Sequence, residues 1–129
     1  MAKILIAEDD PITQVMVLKI VEKMGHIAFI SPNGKHAYDA LNAQNSFSLL
    51  ITDIMMPEMD GRQLIQTLRG TSEFKELPII IMSAVVGIKE ISDLLELGAT
   101  YFQPKPLDLK DLKVNIRRCL ELNPDIIKD

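Results

Sequence analysis

Residues 3–11 read Lys3-Ile4-Leu5-Ile6-Ala7-Glu8-Asp9-Asp10-Pro11. A short apolar run passes straight into three acids and a proline. The same design recurs twice downstream: Ser48-Leu49-Leu50-Ile51-Thr52 runs into Asp53, and Pro78-Ile79-Ile80-Ile81-Met82 runs into Ser83-Ala84. These runs show little polar alternation. Near-continuous Ile/Leu stretches of this length suit strands covered on both faces, as in a parallel sheet with helices on each side.

Longer amphipathic stretches separate the runs. Asp10 can cap a helix whose first turn holds Pro11, running to about Met24 before Gly25 stops it. Residues 27–30 form a second strand, closed by Ser31-Pro32-Asn33-Gly34, and a helix follows at about 35–44. After the strand at 48–52 comes a loop, Met55-Met56-Pro57-Glu58-Met59-Asp60-Gly61, then a helix at about 62–69 ending at Gly70. The strand at 78–82 is followed by a helix over 88–97 that Gly98 terminates. A fifth strand at 100–103 runs into Pro104-Lys105-Pro106, and a last helix over about 108–122 stops before Pro124. The order βαβαβαβαβα predicts an α/β fold. Right-handed crossovers restrict it to a few doubly wound arrangements.

Composition narrows the function. A chain of 129 residues, 47% apolar and 25% charged, favours one globular domain rather than a disordered or collagen-like chain. Acids outnumber bases 18 to 14, for a net charge of −4. That is a poor match for a phosphate backbone, so no nucleic-acid partner is expected. A single cysteine excludes an internal disulfide and a Cys-based zinc site. No apolar run is long enough for a membrane span, and the N-terminal one is too short for a signal segment. The expectation is a cytoplasmic protein with no membrane partner.

In the last helix Leu109, Leu112, Ile116, Cys119 and Leu120 share one face, so Cys119 reads as core rather than as a reactive thiol. The opposite face, with Lys110, Asp111, Lys113, Arg117 and Arg118, reads as solvated. The 88–97 helix carries a wide apolar arc of Ile88, Ile91, Leu94, Leu95 and Leu97. Core burial is expected to cover most of it, and a leftover strip could mediate dimerisation.

The polar residues fall at strand ends: Glu8, Asp9 and Asp10 after the first, Asp53 after the third, Ser83 after the fourth, Lys105 beyond the fifth. In a parallel sheet these ends share one edge, where open α/β sheets bind ligands. Two carboxylates about 4 Å apart repel by about 4 kcal/mol at an effective dielectric near 20. A gathered cluster therefore holds a proton or a cation. Oxygen ligands and waters suit Mg²⁺ better than a full Ca²⁺ cage. Helix capping alone accounts for Asp10. A carboxylate near a metal and a lysine can act as nucleophile toward a phosphoryl group, with Lys105 and Ser83 stabilising its oxygens.

At these residues the sequence resembles a bacterial response regulator receiver domain. The matching pieces are Ile4 to Asp10, Thr52-Asp53-Ile54-Met55-Met56-Pro57-Glu58-Met59-Asp60-Gly61, Ile81-Met82-Ser83-Ala84, Gly98-Ala99 and Lys105-Pro106. The resemblance covers about residues 3–122, with a receiver domain over 1–123 and a short tail over 124–129. It implies a flavodoxin-like (βα)5 fold, five parallel strands in order 2-1-3-4-5. It implies that Asp53 is the phosphoacceptor, supplied by a sensor histidine kinase or a histidine phosphotransfer protein. Glu8, Asp9, Asp53 and the Met55 backbone carbonyl would hold Mg²⁺, with Mn²⁺ as a substitute. Lys105 would pair with Asp53 and the phosphoryl group, and Lys105-Pro106 would be a cis peptide. Ser83 and Phe102 match the switch positions that would remodel the face made of helix 4, strand 5 and helix 5. Phe102 lacks the hydroxyl of a tyrosine. Met55 and Val85, two past Asp53 and Ser83, are apolar where the family controls access of water, so slow autodephosphorylation is expected.

Other readings fit less well. A haloacid dehalogenase-type phosphohydrolase needs a second Asp where Met55 stands. A nucleotide-binding domain needs glycines where Glu8-Asp9-Asp10-Pro11 stand. His26 and His36 lack metal-ligand spacing. Met1 directly before strand 1 suggests a native start, and output would pass through contacts of the receiver itself with a downstream protein. A stand-alone regulator, a phosphorelay shuttle and a receiver excised from a larger protein remain open, and the regulator is a switch rather than an enzyme.

Overall fold

A computed structural model describes residues 1–44, 46–84 and 87–121. The strands are β1 (Lys3–Ala7), β2 (Ile27–Ser31), β3 (Leu49–Asp53), β4 (Ile79–Ser83) and β5 (Tyr101–Pro104). The helices are α1 (Pro11–Lys23), α2 (Gly34–Ala43), α3 (Gly61–Arg69), α4 (Ile88–Leu97) and α5 (Leu109–Glu121). A short 3-10 helix, Ser72–Phe74, stands before β4. The expected elements are all present, with ends moved by a residue or so. One of those moves matters: Asp53 and Ser83 are the last residues of β3 and β4, not the first residues beyond them.

All strands are parallel, in the order β2-β1-β3-β4-β5. The central strands β3 and β4 are buried along their whole length. Alternate residues feed two cores, as the two-residue period of a strand requires. Leu5, Leu50, Ile79 and Ile81 pack with Ala37 and Leu41 of α2, Leu64, Ile65 and Leu68 of α3, and Leu94 of α4. Ile4, Ile6, Leu49, Ile51, Ile80 and Met82 pack with Val17, Ile20 and Val21 of α1 and Leu112, Ile116, Cys119 and Leu120 of α5. Each such Leu or Ile contributes roughly 1.5–3 kcal/mol relative to exposure. This is the doubly wound, flavodoxin-like arrangement.

Two expectations need correction. Leu109 opens α5 and is 38% exposed, so the buried stripe of the helix begins one turn later, at Leu112. On α4 only Leu94 is fully buried; Ile91 and Leu97 are half-buried, while Ile88 and Leu95 are exposed. Cys119 lies in the core, and burial pushes its thiol pKa up to about 12. Leu122 and the tail over 124–129 lie outside the described residues.

Candidate functional site

The parallel sheet delivers its C-terminal strand ends to one edge. Glu8 and Asp9 leave β1, Asp53 closes β3, Ser83 closes β4, and Lys105 follows β5. Glu8, Asp9 and Asp53 each bring a carboxylate oxygen within 4.8 Å of the others. Glu8 is fully buried, Asp53 keeps 8% of its surface, and Asp9 is exposed. The Lys105 Nζ lies 2.9 Å from Glu8 Oε1 and 3.2 Å from Asp53 Oδ2. Lys105 therefore bridges two acids, rather than serving Asp53 alone.

Local structure fixes Glu8, Asp10 and Asp53. Ser31 accepts from the Glu8 N–H at 3.0 Å, tying the loop to β2. Glu8 Oε2 accepts from the Asp10 N–H at 3.1 Å, and the Gln14 amide donates to the Glu8 carbonyl at 2.6 Å. Asp10 Oδ2 caps α1 by accepting from the Thr13 N–H and hydroxyl at 2.9 and 2.7 Å, bonds that lower its pKa. Asp53 Oδ1 accepts from the Ile54 N–H at 2.8 Å, which sets the plane of the carboxylate.

Burial raises the pKa of Glu8, against the opposing pull of its bond from Lys105. Burial acts against the Lys105 ammonium as well, but the Glu8 bond and the Asp53 charge outweigh it and hold its pKa above the ordinary lysine value. One ammonium thus faces three carboxylates. The donors are all oxygen, with neither His nor Cys in the group. This acidic cluster fits the Mg²⁺ site of receiver domains, since a hard divalent cation supplies the missing positive charge.

The loop after Asp53 is tightly built. Gly61 donates to the Ile54 carbonyl at 2.7 Å. A Cβ at Gly61 would overlap the Asp53 carbonyl oxygen and come within 2.9 Å of Ile54 Cα. Gly34 donates to the Met59 carbonyl at 3.0 Å, and a Cβ there would overlap that oxygen. Between them Glu58 adopts φ 67°, with Met59 N–H bonded to the Pro57 carbonyl at 2.8 Å, a tight turn that only close packing sustains in a non-glycine residue. Met56 is buried and Met59 half-buried, whereas the Met55 side chain is 78% exposed beside the acids.

The remaining residues singled out in the sequence sit further round the edge. Ser83 is buried next to β5, its carbonyl accepting from the Lys105 N–H at 2.8 Å. The Lys105–Pro106 peptide is cis. Phe102 stands opposite Ile81 on β5, half-buried against the core and away from the acids. Val85 lies outside the described residues. His26 accepts from the Ala2 N–H, and His36 pairs with the Ser31 hydroxyl at 2.7 Å; neither reaches the acids. Sequence reasoning missed Gln14 and Gly34. Gln14 carries no sequence signal, and Gly34 read only as part of a turn.

No helix among the described residues is long and apolar enough to cross a membrane. Over residues 4–117 the chain matches the family described as response regulator receiver domain. It is 30% identical to the chemotaxis protein CheY1 of Helicobacter pylori, over 94% of this chain and 98% of that one. It is equally similar, at 30%, to the transcriptional regulatory protein CrdR of the same species, over 95% of this chain and 56% of CrdR. The chain spans about half the length, or less, of several curated relatives it matches. Its fold superimposes with a TM-score of 0.87 on the signal receiver domain of a signal transduction histidine kinase from Syntrophus aciditrophicus, 30% identical, covering 95% of this chain and 92% of that one. The chain belongs to the response regulator receiver domain family, the phosphoacceptor switches of two-component systems.

Proposed function

We propose that Asp53 accepts a phosphoryl group from a phosphohistidine of a sensor histidine kinase or histidine phosphotransfer protein. The observation that carries this reading is the Lys105 ammonium held between Glu8 and Asp53, with a third acid, Asp9, alongside. An Asp53 oxygen attacks phosphorus, a P–O bond forms, the P–N bond breaks, and the histidine nitrogen keeps the electron pair. The Ile54 N–H holds the nucleophile's plane. Lys105 and the Ser83 hydroxyl stabilise the transferred oxygens. Glu8, Asp9, Asp53 and the Met55 carbonyl would hold Mg²⁺ or Mn²⁺, which when bound neutralises charge on the phosphoryl oxygens.

The phosphorylated site then draws on Ser83 and Phe102 to remodel α4, β5 and α5, the face that meets a downstream protein. Exposed Ile88 and Leu95 support a homodimer formed on phosphorylation. Equal sedimentation of the free and phosphorylated forms would count against it. The exposed apolar Met55, together with Val85, supports slow loss of the phosphoryl group. A half-life of seconds at neutral pH would sink that part.

Intact mass after incubation with acetyl phosphate tests the core of the proposal. One phosphoryl gain is expected, dependent on Mg²⁺ and absent in Asp53→Asn. A gain that persists in Asp53→Asn overturns the assignment. No gain in a folded protein that binds Mg²⁺ overturns acceptance from a small donor.

A further inference from the structure

The phosphoacceptor chemistry leaves the opposite end of the sheet unused. There, between the C-terminal turn of α1 and the stretch of α5 from Lys113 onward, lies a cleft of about 530 Å³. Its apolar part is Met1, exposed, Met24, half-buried, and Leu120, buried. Lys23, Lys113 and Arg117 line it as well. That volume is in the range of small-molecule sites, which combine an apolar wall with a few polar groups.

The charge is the informative part. Three cations gather here in a chain whose net charge is −4. None of these three has a carboxylate within 4.0 Å among the described residues, as holds for most basic side chains of the chain, but here three of them share one cleft. Among the described residues Glu121 is the single acid lining the cleft, and it is exposed. His26 adds a donor. Its Nδ1 accepts from the Ala2 N–H at 3.0 Å, so the neutral ring carries its proton on Nε2. Unpaired cations around a concave apolar floor select a ligand that answers both features. The charged rim binds an anionic head, with Arg117 suited to bidentate contact, and the floor accepts a short hydrocarbon body.

We propose that this cleft binds a small amphipathic anion, a phosphate or carboxylate head on a short apolar body. A membrane surface carries the same chemistry but fits less well. An anionic bilayer would repel the acidic chain as a whole, whereas a small ligand feels the local field.

The test is titration of octyl phosphate, below its micelle concentration, into the full chain followed by amide NMR. Saturable shifts are expected at Met24, His26 and the stretch from Lys113 to Leu120. The dissociation constant should rise at least about tenfold in Lys113→Gln/Arg117→Gln, the size expected for losing charge-assisted bonds. That variant should still gain one phosphoryl group at Asp53, which shows that it folds. A single Lys23→Gln variant provides a second, milder reading of the same loss. Equal affinity for inorganic phosphate would overturn the proposal by making charge sufficient. Equal affinity for octyl glucoside would overturn it by making the floor sufficient. So would undiminished binding by the variants, absence of saturable shifts, or co-sedimentation with phosphatidylglycerol vesicles at the affinity seen for octyl phosphate.

Discussion

Helices α3 and α4 lie on the same face of the sheet, yet they are held in opposite ways. α3 begins with a capping box: Asp60 accepts from the Gln63 N–H at 2.9 Å, and the Gln63 side chain accepts from the Asp60 N–H at 3.0 Å. Gly61, Leu64, Ile65 and Leu68 are buried along it. Arg69 ends it by donating to the Gly98 carbonyl at 3.0 and 2.7 Å and to the Phe74 carbonyl at 2.8 Å. α4 begins at Gly87 with no side-chain cap bond and buries only Leu94 completely. The lesson concerns where a switch can move. α3 is wedged against the Asp53 backbone and buttresses the proposed acceptor. α4 is held by few buried contacts, so its displacement costs little. Under the proposed function, phosphorylation at a rigid site would find its compliant element one helix away.

The broadest way to break this contrast is truncation of matched leucines. Leu68→Ala in α3 should cost about 3 kcal/mol, because Leu68 is fully buried and leaves a cavity. Leu95→Ala in α4, at a 43% exposed position, should stay within about 0.5 kcal/mol. Urea unfolding of the two variants reads the difference directly. Similar losses would mean that α4 is as firmly seated as α3.

Gly61→Ala comes next, at about 2 kcal/mol. The added methyl meets backbone of Asp53 and Ile54, which cannot swing away as a side chain can. Mg²⁺-dependent phosphorylation should fall with stability, since the acceptor itself is displaced. Normal stability with normal phosphorylation would show that α3 yields as easily as its neighbour.

The sequence carried the frame of this comparison but not its sign. The elements, the helix ends and the gathering of Glu8, Asp9, Asp53 and Lys105 at one edge follow from apolar runs that end in polar residues, whereas the strand order rests on the resemblance to receiver domains. A parallel sheet has only one C-terminal edge. What a periodicity cannot report is how much of an apolar arc the rest of the chain covers. Ile88, Leu94 and Leu95 look alike in sequence, and only the placement of α4 over the last strands separates the buried one from the exposed two. Arg69 likewise reads as an ordinary basic residue at a helix end. Its partners, the carbonyls of Phe74 and Gly98, are backbone and leave no trace in residue type. The Lys105 bridge was half legible: its place beside Asp53 was expected, but its shorter bond goes to Glu8.

Removing the cap of α3 is a smaller perturbation. Asp60→Ala should cost about 1 kcal/mol, the usual value of an N-cap side chain. Amide exchange should quicken in the first turn of α3 without spreading to β3. Exchange that spreads through the strand would make the cap, rather than the packed leucines, the source of rigidity.

The finest adjustment runs the other way, by lending α4 the device that α3 already has. Gly87 sits at the N-cap with φ −79° and ψ 139°, extended backbone that any residue adopts. Glu90 occupies the third helical position, and its carboxylate lies over Gly87, where an added Cβ would meet it. That side chain is exposed and can swing aside. Gly87→Ser therefore supplies the hydroxyl half of a Ser-x-x-Glu capping box, satisfying first-turn N–H groups that have no intrahelical partner. The expected gain is about 0.5 kcal/mol, since glycine is itself a tolerable cap. Amide exchange in the first turn of α4 should slow, and the change that phosphorylation produces there should shrink, while the rate of phosphoryl gain at Asp53 stays as in the wild type. Slower exchange with an undiminished response to phosphorylation would show that the start of α4 is not where the switch moves. Its mobility would then have to be sought in β5 and α5.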